Sequence, residues 1–138
     1  NDTLIGVGGN ANLSGKAQVI WCWHEIEGYS KFGKYTGNGN ADGPYVHLGF
    51  SPALIATKKT SGTGNWYVND STRSNYNPTS TSAGNLYWES SNTESGNGMD
   101  LLSSGFKIRN ADSSQNASGG TYVYMAWAES PFKYSNAA

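Results

Sequence analysis

The chain has 138 residues, enough for one domain with one buried core, and its nine Lys and Arg residues against ten Asp and Glu give a net charge of -1. Because the basic residues are scattered apart from the pair Lys58–Lys59, the composition excludes nucleic acid as an expected partner, which would need a concentrated basic surface. No stretch approaches 18 consecutive apolar residues, so we expect no membrane insertion either.

The chain begins at Asn1 and not at Met, and no signal peptide is visible, which indicates a fragment or a processed product. Aromatic residues make up 13% of the sequence and glycine occupies 18 positions. This composition favours strands over helices. Cys22, the single cysteine, cannot form an internal disulfide, so we expect stability to come from packing or from neighbouring chains.

Short apolar runs alternate with clusters of Gly, Asn, Ser and Thr, and this spacing predicts an all-β fold, an antiparallel β-sandwich or barrel. In chain order the predicted strands are 19–23, 29–35, a run over 45–57 that Gly49 and Pro52 interrupt, 66–68, 86–88, 105–109 and 122–127. Pro52 lacks an amide proton, so it predicts a bulge, a corner or an edge. Residues 69–82 lack a hydrophobic period and predict a long surface loop.

The last predicted strand, residues 122–127, has no polar face. One side carries Val123, Met125 and Trp127, and the other carries Tyr122, Tyr124 and Ala126. Such a strand is typical of a central position, covered on both sides or paired with another copy of the protein. Residues 19–23 repeat the arrangement.

The two ends of the chain share a pattern of turn, apolar strand, Trp and Glu. A shift of 104 residues aligns positions 12–25 with 116–129, with six identities in fourteen positions, where ordinary residue frequencies give about one. We interpret residues 1–27 as the closing strand of a preceding repeat unit and residues 28–138 as one complete module. The alternative is that any two Ser-Gly turns followed by aromatic strands look alike.

Several stretches in this order resemble a known family. They are GYSKFGKYTGNGNADGPYVHLGFSPALIATKK, WYVNDSTR, DLLSSGFKIRN and SGGTYVYMAWAESPFKYSNA, and WCWHEIEGYSK resembles the junction between two modules. Together they are similar to the repeated β-sandwich modules at the C-terminal ends of tail-fibre and other appendage proteins of tailed bacteriophages, particularly marine and cyanobacterial phages. The resemblance implies a jelly-roll-like or lectin-like sandwich, a location on the virion in a tail fibre or other external appendage, and a homo-oligomer, most commonly a trimer. It carries over no binding residue.

One stretch has the spacing of a metal loop. Asn38, Asn40 and Asp42 precede Gly43 at positions 1, 3 and 5 of an EF-hand-like pattern, but position 12, which should be Glu, is Gly49. The alternative is a plain Asn/Gly/Asp turn. With two histidines and one cysteine, zinc is not expected, and the sequence predicts no metal and no cofactor.

The sequence offers two acid–base pairs, Glu25 with Glu27 and Glu89 with Glu94, which solvated strand-end charges explain at least as well. A Glu two residues after a Trp recurs as Glu129, which favours a framework hydrogen-bond or salt-bridge partner. No G-x-S-x-G elbow surrounds a serine, so we expect no enzyme.

What remains is a surface of aromatic and amide side chains around the predicted loop. Aromatic rings stack on the CH groups of sugars while amides bridge their hydroxyls, and loops on a rigid sandwich commonly carry binding. The alternative is that the aromatics are core and the asparagines form turns. The candidate ligand-binding residues are Tyr67, Asn69, Asn75, Tyr76, Asn77, Tyr87 and Trp88.

These patterns favour a non-enzymatic structural and adhesion module of a phage virion appendage that contacts a host-surface glycan. Two alternatives stay open. One is a purely structural spacer or decoration domain of a virion filament, and the other is a lectin-like carbohydrate-binding module of a secreted bacterial protein. Exposure of Tyr67, Trp88 or the loop aromatics on an outward surface would favour adhesion, whereas burial of all of them, or a neighbouring chain that covers them, would favour the spacer.

Overall fold

The computed structural model describes residues 8–9, 14–73, 83–96 and 98–130, and within them the fold is an all-β sandwich of two antiparallel sheets, as predicted. In chain order the elements are β1 (Ser30–Thr36), β2 (Tyr45–His47), β3 (Pro52–Lys59), β4 (Trp66–Asp70), β5 (Ala83–Tyr87), β6 (Ser95–Gly96), β7 (Met99–Leu102), β8 (Gly105–Ile108), α1 (Ser113–Asn116) and β9 (Thr121–Ala128). The larger sheet has the order β1-β9-β3-β4-β5-β6 and the smaller has the order β2-β8-β7.

The strand β9 is an interior strand of the larger sheet, next to the edge strand β1, as its two apolar faces predict. It pairs with β1 on one side and with β3 on the other, both antiparallel. Its side chains alternate along the strand, with Tyr122, Tyr124 and Ala126 buried and Val123, Met125 and Trp127 half-buried. The buried row faces the smaller sheet, since Phe106 of β8 packs edge-on against Tyr124 with ring centroids 5.5 Å apart.

The core between the sheets is built largely from aromatic residues. Tyr35 stacks on Tyr122 at 4.9 Å and meets Phe106 edge-on at 6.0 Å. Burying each such side chain contributes about 1.5–3 kcal/mol, and the favourable ring geometry adds to that. Leu48, which follows β2, and apolar residues from both sheets complete the cluster, namely Ile55, Met99, Ile108 and Ala126.

The buried tyrosine hydroxyls hold α1 against the core. Tyr35 donates to the carbonyl of Gln115 at 2.9 Å, and Tyr122 donates to the carbonyl of Ser113 at 2.9 Å. A buried hydroxyl without a partner is costly, so these bonds fix both the rings and the helix. Burial, with a contribution from Tyr122, raises the pKa of Tyr35 well above its ordinary value, and the hydroxyl therefore stays neutral.

Most predicted strands are confirmed within a few residues. Pro52 opens β3, and the register between β3 and β9 shifts between Pro52 and Leu54, which is the predicted bulge. The predicted loop over 69–82 begins late, because β4 continues to Asp70, and residues 74–82 lie outside the described residues. The short strands β6 and β7 were not predicted.

The first predicted strand, residues 19–23, is wrong. Residues 16–25, which we call the leading segment, have no strand partner among the described residues, and Val19 and Trp21 are 72% and 73% exposed. A strand needs a neighbouring strand as well as apolar residues. Among the described residues the pairing begins only after the leading segment, with an isolated bridge between Ile26 and Ser30. The expectation that this stretch is packed on both sides therefore does not hold in the single chain.

The turns at the start of the two repeated stretches, 12–25 and 116–129, have the same glycine conformation. Gly15 and Gly119 align in the repeat, and both have φ of 72° in the left-handed region that favours glycine. Asn116, three residues before Gly119, is fully buried and holds the turn together, since its side chain accepts from the amide of Asn38 and donates to the carbonyls of Asn40 and Asn110. The division of the chain at residue 27 stays a prediction.

Candidate functional site

An open groove of about 320 Å³ lies where the aromatic ends of β4 and β5 meet the segment around α1. We call it the amide groove. Two tyrosines, two asparagines, a glutamine, two serines and one carboxylate supply its side chains. Its lining residues are Tyr67, Asn85, Tyr87, Ser95, Gly96, Gly98, Asn110, Asp112, Ser114 and Gln115.

The apolar part of the amide groove is a pair of half-buried tyrosines on neighbouring strands. Tyr67 and Tyr87 are directly paired across β4 and β5, with ring centroids 5.3 Å apart and planes inclined by 59°. The Tyr87 hydroxyl donates to Ser95 Oγ at 2.8 Å, which fixes the ring. Two inclined rings beside polar groups are suited to the CH faces of a sugar.

The polar part centres on Gln115, whose residue is only 3% exposed. Its Oε1 accepts from Asn110 Nδ2 at 3.0 Å, whereas its Nε2 has no hydrogen-bond partner among the described residues. An amide donor that is buried without an acceptor costs about 1–3 kcal/mol. Since Gln115 lines the amide groove, a ligand hydroxyl placed there would supply the missing acceptor.

The charge of the amide groove comes from Asp112, which caps α1. Hydrogen bonds from Ser114 lower the pKa of Asp112, so it is a carboxylate at neutral pH. Burial raises the pKa of Tyr67, with the Ser114 hydroxyl partly opposing the rise. The groove has no Lys, Arg or His among its described lining residues, so its electrostatics favour neutral ligands over anions.

The predicted site residues separate into four groups. Tyr67 and Tyr87 come together in the amide groove. Asn69 is fully buried and braces β4 against β5, donating to the Gly84 carbonyl at 3.0 Å and to Asn85 Oδ1 at 2.9 Å, so it cannot reach a ligand. Trp88 is 50% exposed but packs against Trp66 on the other face of the sheet, away from the groove. The last group, Asn75, Tyr76 and Asn77, lies outside the described residues.

Sequence reasoning missed the second wall of the amide groove. Asn110, Asp112 and Gln115 come from a stretch about 25 residues beyond Tyr87, and only the fold brings them together. The available signal was the polar run NADSSQN at 110–116, which has no apolar period and carries Asp before two serines, a helix N-cap pattern.

The Asn38–Gly43 stretch is an Asn/Gly/Asp turn, with its oxygens engaged by hydrogen-bond donors. Asn38 Oδ1 accepts from the amide of Asn40, and Asn40 Oδ1 accepts from the amide of Asp42, both at 2.9 Å. Asp42 pairs with Lys107 at 2.9 Å, which lowers the pKa of Asp42. These contacts favour the turn over a calcium loop. In the described part of the chain no three His, Cys, Asp or Glu residues cluster as metal ligands.

The candidate carboxylate pairs have other contacts or lie in solvent. Glu89 accepts from the Trp66 amide at 2.8 and 3.0 Å, and Glu94 pairs with Arg73 at 2.9 Å. Glu25 and Glu27 are exposed at the rim of a second open groove, of about 1060 Å³. A general acid at neutral pH needs a drier environment than these positions provide.

The predicted framework role of Glu129 is confirmed. Its Oε2 accepts from Ser51 Oγ at 3.1 Å, and its amide donates to the Ser51 carbonyl at 2.9 Å. The two bonds tie the end of β9 to the start of β3, so this carboxylate stabilises the sheet.

A family model described as a domain of unknown function (DUF7483) matches residues 1–131, across the proposed division at residue 27. No curated protein and no solved structure matches the chain. Within the described residues no helix is long and apolar enough to cross a membrane.

Proposed function

The chain belongs to the DUF7483 family, and from that premise we propose that it is a non-enzymatic adhesion module of a phage virion appendage that holds a host-surface glycan in the amide groove. The observation that carries the binding function is the unpartnered Nε2 of the buried Gln115 beside the paired rings of Tyr67 and Tyr87. The groove thus joins ring faces for CH groups to fixed amides for hydroxyls, the combination that sugars require.

The ligand class that these groups favour is a neutral, hydroxyl-rich sugar. Asp112 adds a carboxylate that can accept from a sugar hydroxyl, and no cation lines the described groove to balance an acidic sugar. Hydrogen bonds to a charged acceptor are stronger than neutral ones, so Asp112 would orient the ligand as well as select it.

The appendage part of the proposal is supported by the order of the framework stretches from residue 28 to the end of the chain, which resembles phage tail-fibre modules. It implies display on the outside of the virion and assembly into a homo-oligomer. Several copies on one fibre would turn a weak groove into strong attachment, because linked sites bind with high effective concentration.

A second candidate function is a purely structural spacer of a virion filament. The observation that favours it is the apolar surface on the side of the larger sheet away from the amide groove, where Trp88 and Leu86 are exposed. In this hypothesis the apolar surface packs against neighbouring subunits of the filament, and another domain binds the host.

The test is binding of the isolated chain to an array of neutral and acidic glycans, followed by titration of a monovalent glycan that the array identifies. Tyr87→Ala should weaken binding by about tenfold, since the loss of one aromatic contact and its buried area corresponds to about that change in affinity. The matched control is Trp88→Ala, the next residue along the chain, which faces the other side and should leave the affinity unchanged.

Three outcomes would overturn the glycan proposal. One is that no glycan binds a correctly folded sample. Another is that Tyr87→Ala and Trp88→Ala weaken binding equally, which would place the ligand elsewhere. The third is a strict preference for acidic sugars, which the Asp112 carboxylate opposes.

A further inference from the structure

Four of the five tryptophans lie on one side of the molecule, and none of the five belongs to the buried core. Trp66 and Trp88 pack together at 5.7 Å, and Trp127 meets Trp23 of the leading segment edge-on at 6.2 Å. Trp21 is the most exposed of the five. Tryptophan is enriched at protein interfaces and dominates their binding energy, so its placement on one surface marks that surface as a contact face.

This surface is the face of the larger sheet turned away from the smaller sheet, and we call it the outer face. The pairing registers place on it a continuous set of apolar side chains from five strands, because residues directly opposite across a ladder point the same way. Ala56 and Val68 at its centre are buried, whereas the larger residues around them keep exposed area. The set is Phe32, Leu54, Ala56, Trp66, Val68, Leu86, Val123, Met125 and Trp127.

The charged groups at the outer face leave it suited to an apolar partner. Lys58 is opposite Trp66, and its ammonium donates to the Gly64 carbonyl at 2.6 Å and lies 5.8 Å from the Trp66 ring. Asp70 is paired with Arg73. Lys34 of the edge strand β1 also lies on this face, opposite Val123, and is exposed. Asp70 is thus neutralised within the chain, whereas the two lysines leave positive charge beside the apolar set, as is common at the polar rim of an interface.

The leading segment carries a second exposed apolar surface. Its Val19, Ile20 and Trp21 are all more than half exposed, and its sequence repeats that of β9. At Trp23 the segment already touches the outer face, through Trp127, which in turn meets Phe32 at 5.8 Å. The contact shows that a side chain of this segment packs on the face, while Val19 to Trp21 before it are exposed among the described residues.

We propose that the outer face and the leading segment together form an interface between two copies of this chain, the segment of each copy lying on the outer face of the other. Each chain has one leading segment and one outer face. Two copies can therefore form two equivalent contacts, in a self-complementary interface. The interface is independent of the amide groove, which opens on the other side of the larger sheet.

The experiment is sedimentation equilibrium of the full chain over a range of concentrations, with one variant for each half of the interface. Trp21→Glu alters the leading segment and Leu86→Glu alters the outer face, and each should weaken self-association by about 30-fold, the usual effect at a central interface residue. Tyr45→Glu is the matched control, since Tyr45 is 45% exposed but belongs to β2 in the smaller sheet, and it should leave association unchanged.

Because Trp21 and Leu86 are both exposed, the variants should keep the circular dichroism and thermal midpoint of the parent, which separates lost association from lost folding. A parent chain that is monomeric at every concentration would overturn the proposal. So would association that survives both Trp21→Glu and Leu86→Glu, or that Tyr45→Glu weakens as much as they do.

Discussion

Residues 19–25 and 123–129 carry the same pattern, yet one stretch is an exposed segment outside the described strands and the other forms most of β9, an interior strand of the larger sheet. Their preceding turns even share the same glycine conformation. The difference lies in the neighbours, because β9 pairs with β1 and β3 and has the core beneath it, whereas the leading segment pairs with no described strand and touches the sandwich at Trp127 and Ser30. An apolar sequence pattern allows a segment to form a strand, and the neighbouring strands and core determine whether the strand forms.

The largest expected effect contrasts two aligned positions, Ala126 and Cys22. Ala126 is fully buried in the core, and Ala126→Asp would place a charge there without a partner, so we expect a loss of about 4 kcal/mol or more in the free energy of unfolding. Cys22 is exposed, and Cys22→Asp should change it by less than about 0.5 kcal/mol. Denaturant unfolding of both variants measures the contrast, and similar losses would refute it.

The second prediction concerns the aligned tryptophans that touch. Trp127→Ala should cost about 2 kcal/mol because the ring is half-buried between Trp23 and Phe32, and Trp23→Ala should cost about 1 kcal/mol. In a double-mutant cycle the coupling should be about 0.5–1.5 kcal/mol. The cycle has to be measured at a dilution where the chain is monomeric. Zero coupling would mean that the leading segment does not rest on β9.

The third prediction uses the aligned glycines. Gly119→Ala should lower the free energy of unfolding by about 1 kcal/mol, since an L-residue resists the left-handed conformation, although no atom crowds the new methyl group. Gly15→Ala imposes the same local strain, but its turn precedes a segment outside the sandwich, so global unfolding should not change. Equal effects of the two substitutions would show that the leading turn is part of the cooperative fold.

The smallest effect belongs to the helix that precedes β9. Hydrogen bonds from Ser114 lower the pKa of Asp112 in the folded state, so the carboxylate stabilises the fold above its unfolded pKa, and this stabilisation is lost as the pH falls through the folded value. Asp112→Asn keeps a good N-cap but removes the titration. We would measure the free energy of unfolding between about pH 6 and 3, the range that brackets the pKa of a carboxyl group. As the pH falls, this free energy should decrease less steeply for the variant than for the parent. Identical slopes would contradict this assignment.

The sequence predicts most of the sandwich because alternating apolar residues and turn clusters are local signals, as in β1 and β9. It does not predict that residues 19–23 pair with none of the described strands, since pairing depends on distant parts of the chain. It predicts Tyr67 and Tyr87 as binding residues but not Gln115, because the wall that Gln115 forms depends on the hydroxyl of Tyr35, 80 residues away. Asn69 was misplaced for a similar reason, as its burial follows from the β4–β5 pairing.

The claim that the outer face lacks its partner in the single chain is tested most directly by acrylamide quenching of tryptophan fluorescence as the chain concentration rises. Four of the five tryptophans lie on that side, Trp21 belongs to the leading segment, and none is in the core, so the signal reports the two proposed contact surfaces. We predict strong quenching in dilute solution and clear protection as the copies associate. Strong quenching at every concentration would contradict the account, and so would full protection in the most dilute sample.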